Sequence, residues 1–264
     1  MYRFVDYEAN AQTNVFILNT NFWARSIDLS CVSVLSERWD DNYKGGSMSA
    51  TAITRRHVIM AHHWMANRYA FCDANGMTTN LTVMNRWTIP GSDLCIGRLD
   101  GLLPETIKLP KIFGPGYEEY ICNGRYLPQI CVTHFKAATV METMSMDYTI
   151  LNSSNGIRYR HLGAFAATNM VGIQRAFVRG LVDRGNSGSA SLLLAGDELV
   201  FLFSRHMGQR INVSWGAGYG PNIAYRIEEI RSKIREWEGT DADLYPLEVF
   251  DMSPYSPRVR QGGY

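Results

Sequence analysis

Three widely separated segments of this chain carry the side-chain types of a nucleophilic triad. Residues 49–64 end in the adjacent histidines His62 and His63, followed by Trp64. Residues 92–100 read Ser-Asp-Leu-Cys-Ile-Gly-Arg-Leu-Asp and supply an acid. Residues 183–190 read Asp-Arg-Gly-Asn-Ser-Gly-Ser-Ala and place Ser187 between glycines. The chain order is therefore His, Asp, Ser. A serine hydroxyl is a poor nucleophile at neutral pH. A neutral imidazole within hydrogen-bond reach takes its proton and later returns it to a leaving group. A carboxylate on the other ring nitrogen selects the tautomer and stabilises the imidazolium. Glycines around Ser187 let the backbone turn sharply, so that the amides of Gly185 and Ser187 can face a developing oxyanion, each donor contributing about 3 kcal/mol. Ser…Asp…His order, as in the α/β-hydrolases, is excluded.

The bulk numbers permit such chemistry and narrow the rest. The chain has 264 residues, 46% hydrophobic and 19% charged, so a sizeable core can form. A formal net charge of +1 offers no electrostatic reason for a nucleic-acid or membrane-surface partner. Five cysteines (Cys31, Cys72, Cys95, Cys122 and Cys131) make an odd set without zinc-knuckle or CxxC spacing. Free thiols in a reducing compartment are expected. The opening residues lack a basic stretch followed by an apolar one, and no apolar run approaches the ~20 residues of a membrane span. A cytoplasmic protein is expected. No His, Cys, Asp and Glu set has metal-ligand spacing, and no cofactor is expected. His57, His134 and His161 read as structural or surface residues, and so does His206 unless it borders a substrate pocket.

Short runs rich in β-branched and aromatic residues, separated by turn residues, predict strands. They fall at 30–35, 50–54, 58–60, 81–83, 94–99, 129–134, 139–141, 177–182, 191–194, 199–203 and 211–215. Many short strands suggest a sandwich or a pair of barrels. Ile223, Ile227, Ile230, Ile234 and Trp237 recur at three- and four-residue steps, which predicts an amphipathic helix after Gly220-Pro221-Asn222. Beyond Gly239, prolines and tyrosines predict an extended tail.

The three segments resemble, in the same order, the signature blocks of the chymotrypsin/trypsin-like serine protease family, in which this triad chemistry is well established. The stretch Thr51-Ala-Ile-Thr through Val58-Ile-Met-Ala-His-His is similar to the family's strand, turn, strand and "TAAHC" corner, whose register points to His63. Asp93-Leu-Cys-Ile-Gly-Arg-Leu is similar to "DIALLRL", and Gly185-Asn-Ser-Gly-Ser to "GDSGG". The run 199–204 resembles the strand lining the specificity pocket, and the helix from Ile223 resembles the family's C-terminal helix. The resemblance covers roughly residues 28 to 238 and is nearest to disulfide-free bacterial or viral members.

It implies an all-β fold of two six-stranded antiparallel Greek-key β-barrels with a C-terminal α-helix. The division would be an N-terminal arm at 1–27, a first barrel at 28–125 with His63 and Asp93, and a second at 126–222 with Ser187. A helix at 223–238 and the tail at 239–264 would follow. The implied activity is endopeptidase, with His63, Asp93 and Ser187 catalytic, Gly185 and Ser187 the oxyanion donors, and a protein or peptide as substrate. Departures matter. Asn186 stands where zymogen-type members carry an aspartate, so the chain would fold directly into its active form. Trp64 replaces a cysteine, and Ser189 a glycine. The implied pocket is floored by Leu181 and walled by Ser204, Arg205 and His206. Either the two cationic candidates favour Glu or Asp side chains, or Arg205 turns outward and leaves an apolar pocket. Two other readings stay open: an esterase using the same triad, and a non-catalytic structural or interaction subunit, for example of a phage or virus particle. In the latter, the arm and tail would dock on a protein partner or on copies of the chain.

Overall fold

The computed structural model describes residues 5–7, 16–37, 48–121, 127–132, 138–151, 158–166, 187–205, 207–212 and 215–256. The expected strand at 177–182 lies outside them. The chain is mostly β-sheet with a C-terminal helix. A small hairpin, β1 (Val5–Tyr7) and β2 (Phe16–Leu18), precedes two larger sheets.

The first sheet holds β3 (Leu35–Glu37), β4 (Ala50–Ala52), β5 (His57–Ala61), β6 (Arg68–Cys72), β7 (Thr78–Thr88) and β8 (Leu94–Leu99). Its order is β3-β6-β7-β8-β5-β4, antiparallel throughout. β5 is an unbroken buried run, His-Val-Ile-Met-Ala, as a strand covered on both faces must be. Residues 31–35 reach both edges of the sheet. Ala52 N donates to Cys31 O (2.8 Å) and Ser33 N to Ala50 O (3.0 Å), while Val34 N donates to Ala70 O (2.7 Å). The sheet therefore curls around Val58, Met60, Tyr69, Phe71, Val83 and Leu99. A Cβ at Gly97 would fall 2.5 Å from Met60 Cε and 2.9 Å from Val83 Cγ1, so a larger residue there would push these side chains aside.

Residues 103–121 cross to the second sheet and contribute β9 (Lys111–Phe113) and a single helical turn, α1 (Glu118–Ile121). The second sheet adds β10 (Leu127–Val132), β11 (Ala138–Leu151), β12 (Arg158–Ala166), β13 (Ala190–Ala195), β14 (Glu198–Ser204), β15 (Met207–Asn212), β16 (Trp215–Pro221) and β17 (Val249–Phe250). Its order is β15-β16-β12-β11-β10-β13-β14-β9-β17. An isolated bridge, Phe203 to Asn222, brings β14 against the end of β16. Nine strands stand where six antiparallel ones were expected, and β9 runs parallel to both β14 and β17. The open edge of β14 is met by the connecting segment as β9, and the open edge of β9 is met in turn by the C-terminal segment as β17.

The predicted helix starts as a 3-10 turn, Ile223–Arg226, with Asn222 Oδ1 accepting Ala224 N (3.2 Å). It continues as α2 (Ile227–Glu238). Ile227, Ile230 and Ile234 are buried, and Gly239 in the left-handed region (φ 57°) ends it. Much of the expected tail is folded. Gly239–Leu244 is a 3-10 helix, β17 joins the sheet, and Tyr245, Leu247 and Phe250 are buried. Residues 257–264 lie outside the described residues. Part of the expected arm is also packed, since Phe22 and Ala24 are buried and Trp23 Nε1 donates to Ala138 O (3.0 Å). Burial of each large apolar side chain stabilises by about 2 kcal/mol, which is why these ends lie on the body.

Cys31, Cys72, Cys95 and Cys131 are buried and form no disulfide among the described residues; Cys122 lies outside the described residues. Burial pushes the thiol of Cys31 up to about 12 and those of Cys72 and Cys95 up to about 11, so these three stay protonated at neutral pH. Among the described residues no helix is long and apolar enough to cross a membrane.

Candidate active site

β5 ends at Ala61, and Trp64 N donates back to Ala61 O (3.1 Å), so His62 and His63 form a tight turn at the sheet's rim. Asp93 sits just before β8, which pairs with β5. Its backbone oxygen accepts His62 N (2.7 Å), and its Oδ1 accepts His63 N (2.9 Å). The two turns are thereby locked together, and Asp93 Oδ2 meets His63 Nδ1 in a short hydrogen bond. On the far side of the ring, His63 Nε2 lies 2.8 Å from Ser187 Oγ. With a carboxylate at Nδ1, that nitrogen carries the proton, which leaves Nε2 free to accept from the serine hydroxyl.

Of the two adjacent histidines, His63 is therefore the one that bridges Asp93 and Ser187. His62 is held elsewhere, with its Nδ1 2.7 Å from Thr88 Oγ1. The hydrogen bond to Asp93 raises the pKa of His63 above the ordinary histidine value, partial burial opposes this, and the Asp93 charge adds to the rise. An imidazolium formed during proton transfer is stabilised by the same contact. The His63 side chain is 49% exposed, open to a substrate.

Ser187 comes from the other sheet, and its position depends on Gly188. That residue has φ 84°, and a Cβ on it would fall 2.3 Å from Ser49 O. Gly188 N donates to Arg205 O (2.6 Å), and Arg205 N donates to Ser189 O (2.9 Å). The nucleophile turn is thus pinned between the lead-in to β4 and the chain leaving β14. Only glycine fits both the handedness and the space.

The expected pocket residues are partly visible. Ser204 and Arg205 are each 1% exposed. The Arg205 side chain is buried rather than turned to solvent, and its backbone N donates to Ser189 O (2.9 Å). Gly185, Asn186, Leu181 and His206 lie outside the described residues, as does His134; for His161 only the backbone, in β12, is described.

His57 proves to be part of a buried charged cluster. Its side chain is fully buried, Nδ1 lies 2.8 Å from Thr54 Oγ1, and Nε2 lies 3.2 Å from Glu238 Oε1. Arg98 Nε donates to Glu238 Oε1 (2.6 Å) and Arg56 Nη1 to Glu238 Oε2 (3.0 Å). Trp237 stacks on the His57 ring at 6.0 Å. This cluster fastens the end of α2 to the first sheet. Sequence reasoning missed Arg56, Arg98 and Glu238; their alternation with apolar positions marks them only as exposed.

The arrangement can generate a serine alkoxide equivalent at a rim shared by both sheets. Among the described residues, no group of three or more His, Cys, Asp or Glu side chains could hold a metal. No known protein family matches the chain, and no curated protein matches it.

Proposed function

We propose that this chain is a serine endopeptidase that hydrolyses peptide bonds through an acyl-enzyme intermediate. The observation that carries the reading is the unbroken relay Asp93–His63–Ser187, in which the histidine meets partners 30 and 124 residues away along the chain. Three residues of the right types seldom converge at hydrogen-bond distance without a chemical use. A trypsin-like fold of two six-stranded barrels accords with two features. Residues 31–35 join the edges of the first sheet, and the Phe203 to Asn222 bridge joins the edges of β16-β12-β11-β10-β13-β14 in the second. In that reading β9, β15 and β17 are additions to the second barrel.

Ser187 Oγ attacks the scissile carbonyl carbon as His63 Nε2 takes its proton. The C–N bond then breaks, and the imidazolium returns the proton to the leaving amine. Water enters, gives a proton to His63 and attacks the acyl carbon, and the serine departs with that proton. Asp93 keeps Nδ1 protonated and stabilises the positive ring throughout. The amides of Gly185 and Ser187 are the proposed donors to the oxyanion.

A fluorophosphonate followed by intact mass tests this, with Ser187→Ala, His63→Ala and His62→Ala beside wild type. One adduct on wild type and on His62→Ala, absent from the other two, is expected. A folded wild-type protein that takes no adduct would overturn the proposal.

A further inference from the structure

The eleven residues of β7 separate two ends of the first sheet. Thr88, its last residue, bonds His62 beside the candidate active site; Thr78, its first, follows the turn that begins at Asp73. At about 3.3 Å per residue the ends lie roughly 30 Å apart along the strand. At the Asp73 end is a cavity of about 540 Å³, between residues 18–30 and residues 72–74. That volume suits a small organic ligand or a long side chain.

The cavity joins an apolar wall to two carboxylates. Leu18, Phe22, Ile27 and Leu29 form the wall, and Asp28 and Asp73 supply the acids. Asp73 is 3% exposed. Burial alone would raise its pKa, but the Thr106 side chain and the amides of Met77 and Asn75 hold it below the usual carboxylate value, so it is charged at neutral pH. Those partners are all neutral. Asp28 Oδ1 accepts Ser30 N (2.9 Å). Among the described residues neither carboxylate forms an ion pair. Of the described residues that line the cavity, Arg25 alone is cationic. It is exposed and donates to Thr20 O (3.3 Å), which leaves the site with a net negative charge. Asp73 Oδ1 already accepts Asn75 N (2.8 Å) and Met77 N (2.9 Å), so a cation here adds a charge-assisted hydrogen bond to a satisfied carboxylate, and that bond must offset the cost of desolvating the cation.

We propose that this cavity binds an aliphatic organic cation, a guanidinium or primary ammonium on a short hydrocarbon stem. Its charge meets Asp28 and Asp73, and its stem lies on Leu18, Phe22, Ile27 and Leu29. A free amine and the Arg or Lys side chain of a peptide share this chemistry. The site is separate from the serine chemistry and does not depend on it.

The test is calorimetric titration of the full chain with butylguanidinium and with its neutral counterpart, butylurea. Butylguanidinium should bind with a stoichiometry of about one, at least about tenfold tighter than butylurea. Asp28→Asn should weaken it about tenfold or more. Ala74→Phe, at an exposed rim position, should block entry while keeping both acids; it stands in if Asp73→Asn, which removes turn contacts, fails to fold. Ser187→Ala should bind as wild type does, and in that background acetyl-Gly-Arg-Gly-amide distinguishes the sources. Tighter binding than butylguanidinium identifies a protein chain, and weaker binding a free amine. Equal binding of butylurea, indifference to both Asp28→Asn and Ala74→Phe, or no saturable binding would overturn the proposal.

Discussion

Acidification should weaken this protein through one imidazole, His57. Burial lowers its pKa from 6.5 to about 4; Glu238 opposes the shift, and Arg56 and Arg98 reinforce it. In the unfolded chain the group titrates near its ordinary value. Above about pH 6.5 both states hold a neutral ring and the group contributes no pH dependence. Between about 6.5 and 4 the unfolded chain binds a proton that the fold refuses, so stability falls as pH falls. Below about 4 both are protonated and the loss is complete. At about 1.36 kcal/mol per unit, the full loss is about 3 kcal/mol. Two other groups act outside the upper part of this window. His63, whose folded pKa is raised, contributes stability that is fully present below about 6.5 and lost as pH rises through its folded value. Glu238, whose folded pKa is lowered, contributes stability present above about 4.5 and lost as pH falls through its folded value. Urea unfolding followed by tryptophan fluorescence, between about pH 7 and 4.5, should show wild type losing about 2–3 kcal/mol more than His57→Gln. Trp237, stacked on the ring, reports directly. Equal pH slopes in the two proteins would refute the reasoning.

Three further outcomes rest on the same geometry. Glu238→Gln leaves Arg56 and Arg98 without their carboxylate; both are about a quarter exposed, so the cost should sit near the lower end for a broken buried pair, about 3 kcal/mol, read by the same unfolding assay. Gly188→Ala should abolish fluorophosphonate labelling of Ser187, because the new Cβ would overlap Ser49 O; far-ultraviolet circular dichroism should still show a β-sheet protein. The rate of labelling should follow the neutral fraction of His63 and fall as pH drops through a midpoint above the ordinary histidine value, and Asp93→Asn should slow it by about 10⁴ at every pH on the plateau.

Particular residues show what local pattern reveals. β5 was legible because Val58 to Ala61 is a continuous apolar run, β8 because Leu94, Cys95, Ile96 and Leu99 are apolar, and α2 because its isoleucines keep helical spacing. His63, Asp93 and Ser187 were legible as residue types in order, although the choice between His62 and His63 leaned on resemblance until the ring positions were known. Arg98 and Glu238 were not, because nothing in a local pattern links charges 140 residues apart. The tail was read as extended because its prolines and tyrosines hide the few apolar contacts, Tyr245, Leu247 and Phe250, that fold it. The cavity at Asp28 and Asp73 was likewise invisible, since it exists only where two distant turns meet.

The sequence by itself determined the β-rich composition, the terminal helix and the supply of a nucleophile, a base and an acid, because strand and helix periodicity and side-chain chemistry are local properties. Only the tertiary structure decided that Ser187 reaches His63 rather than His62, that Arg205 lies inside, and that a carboxylate at Glu238 is shared by two arginines and a histidine. Those outcomes depend on how the two sheets curl and meet, and that is set by packing summed over the whole chain.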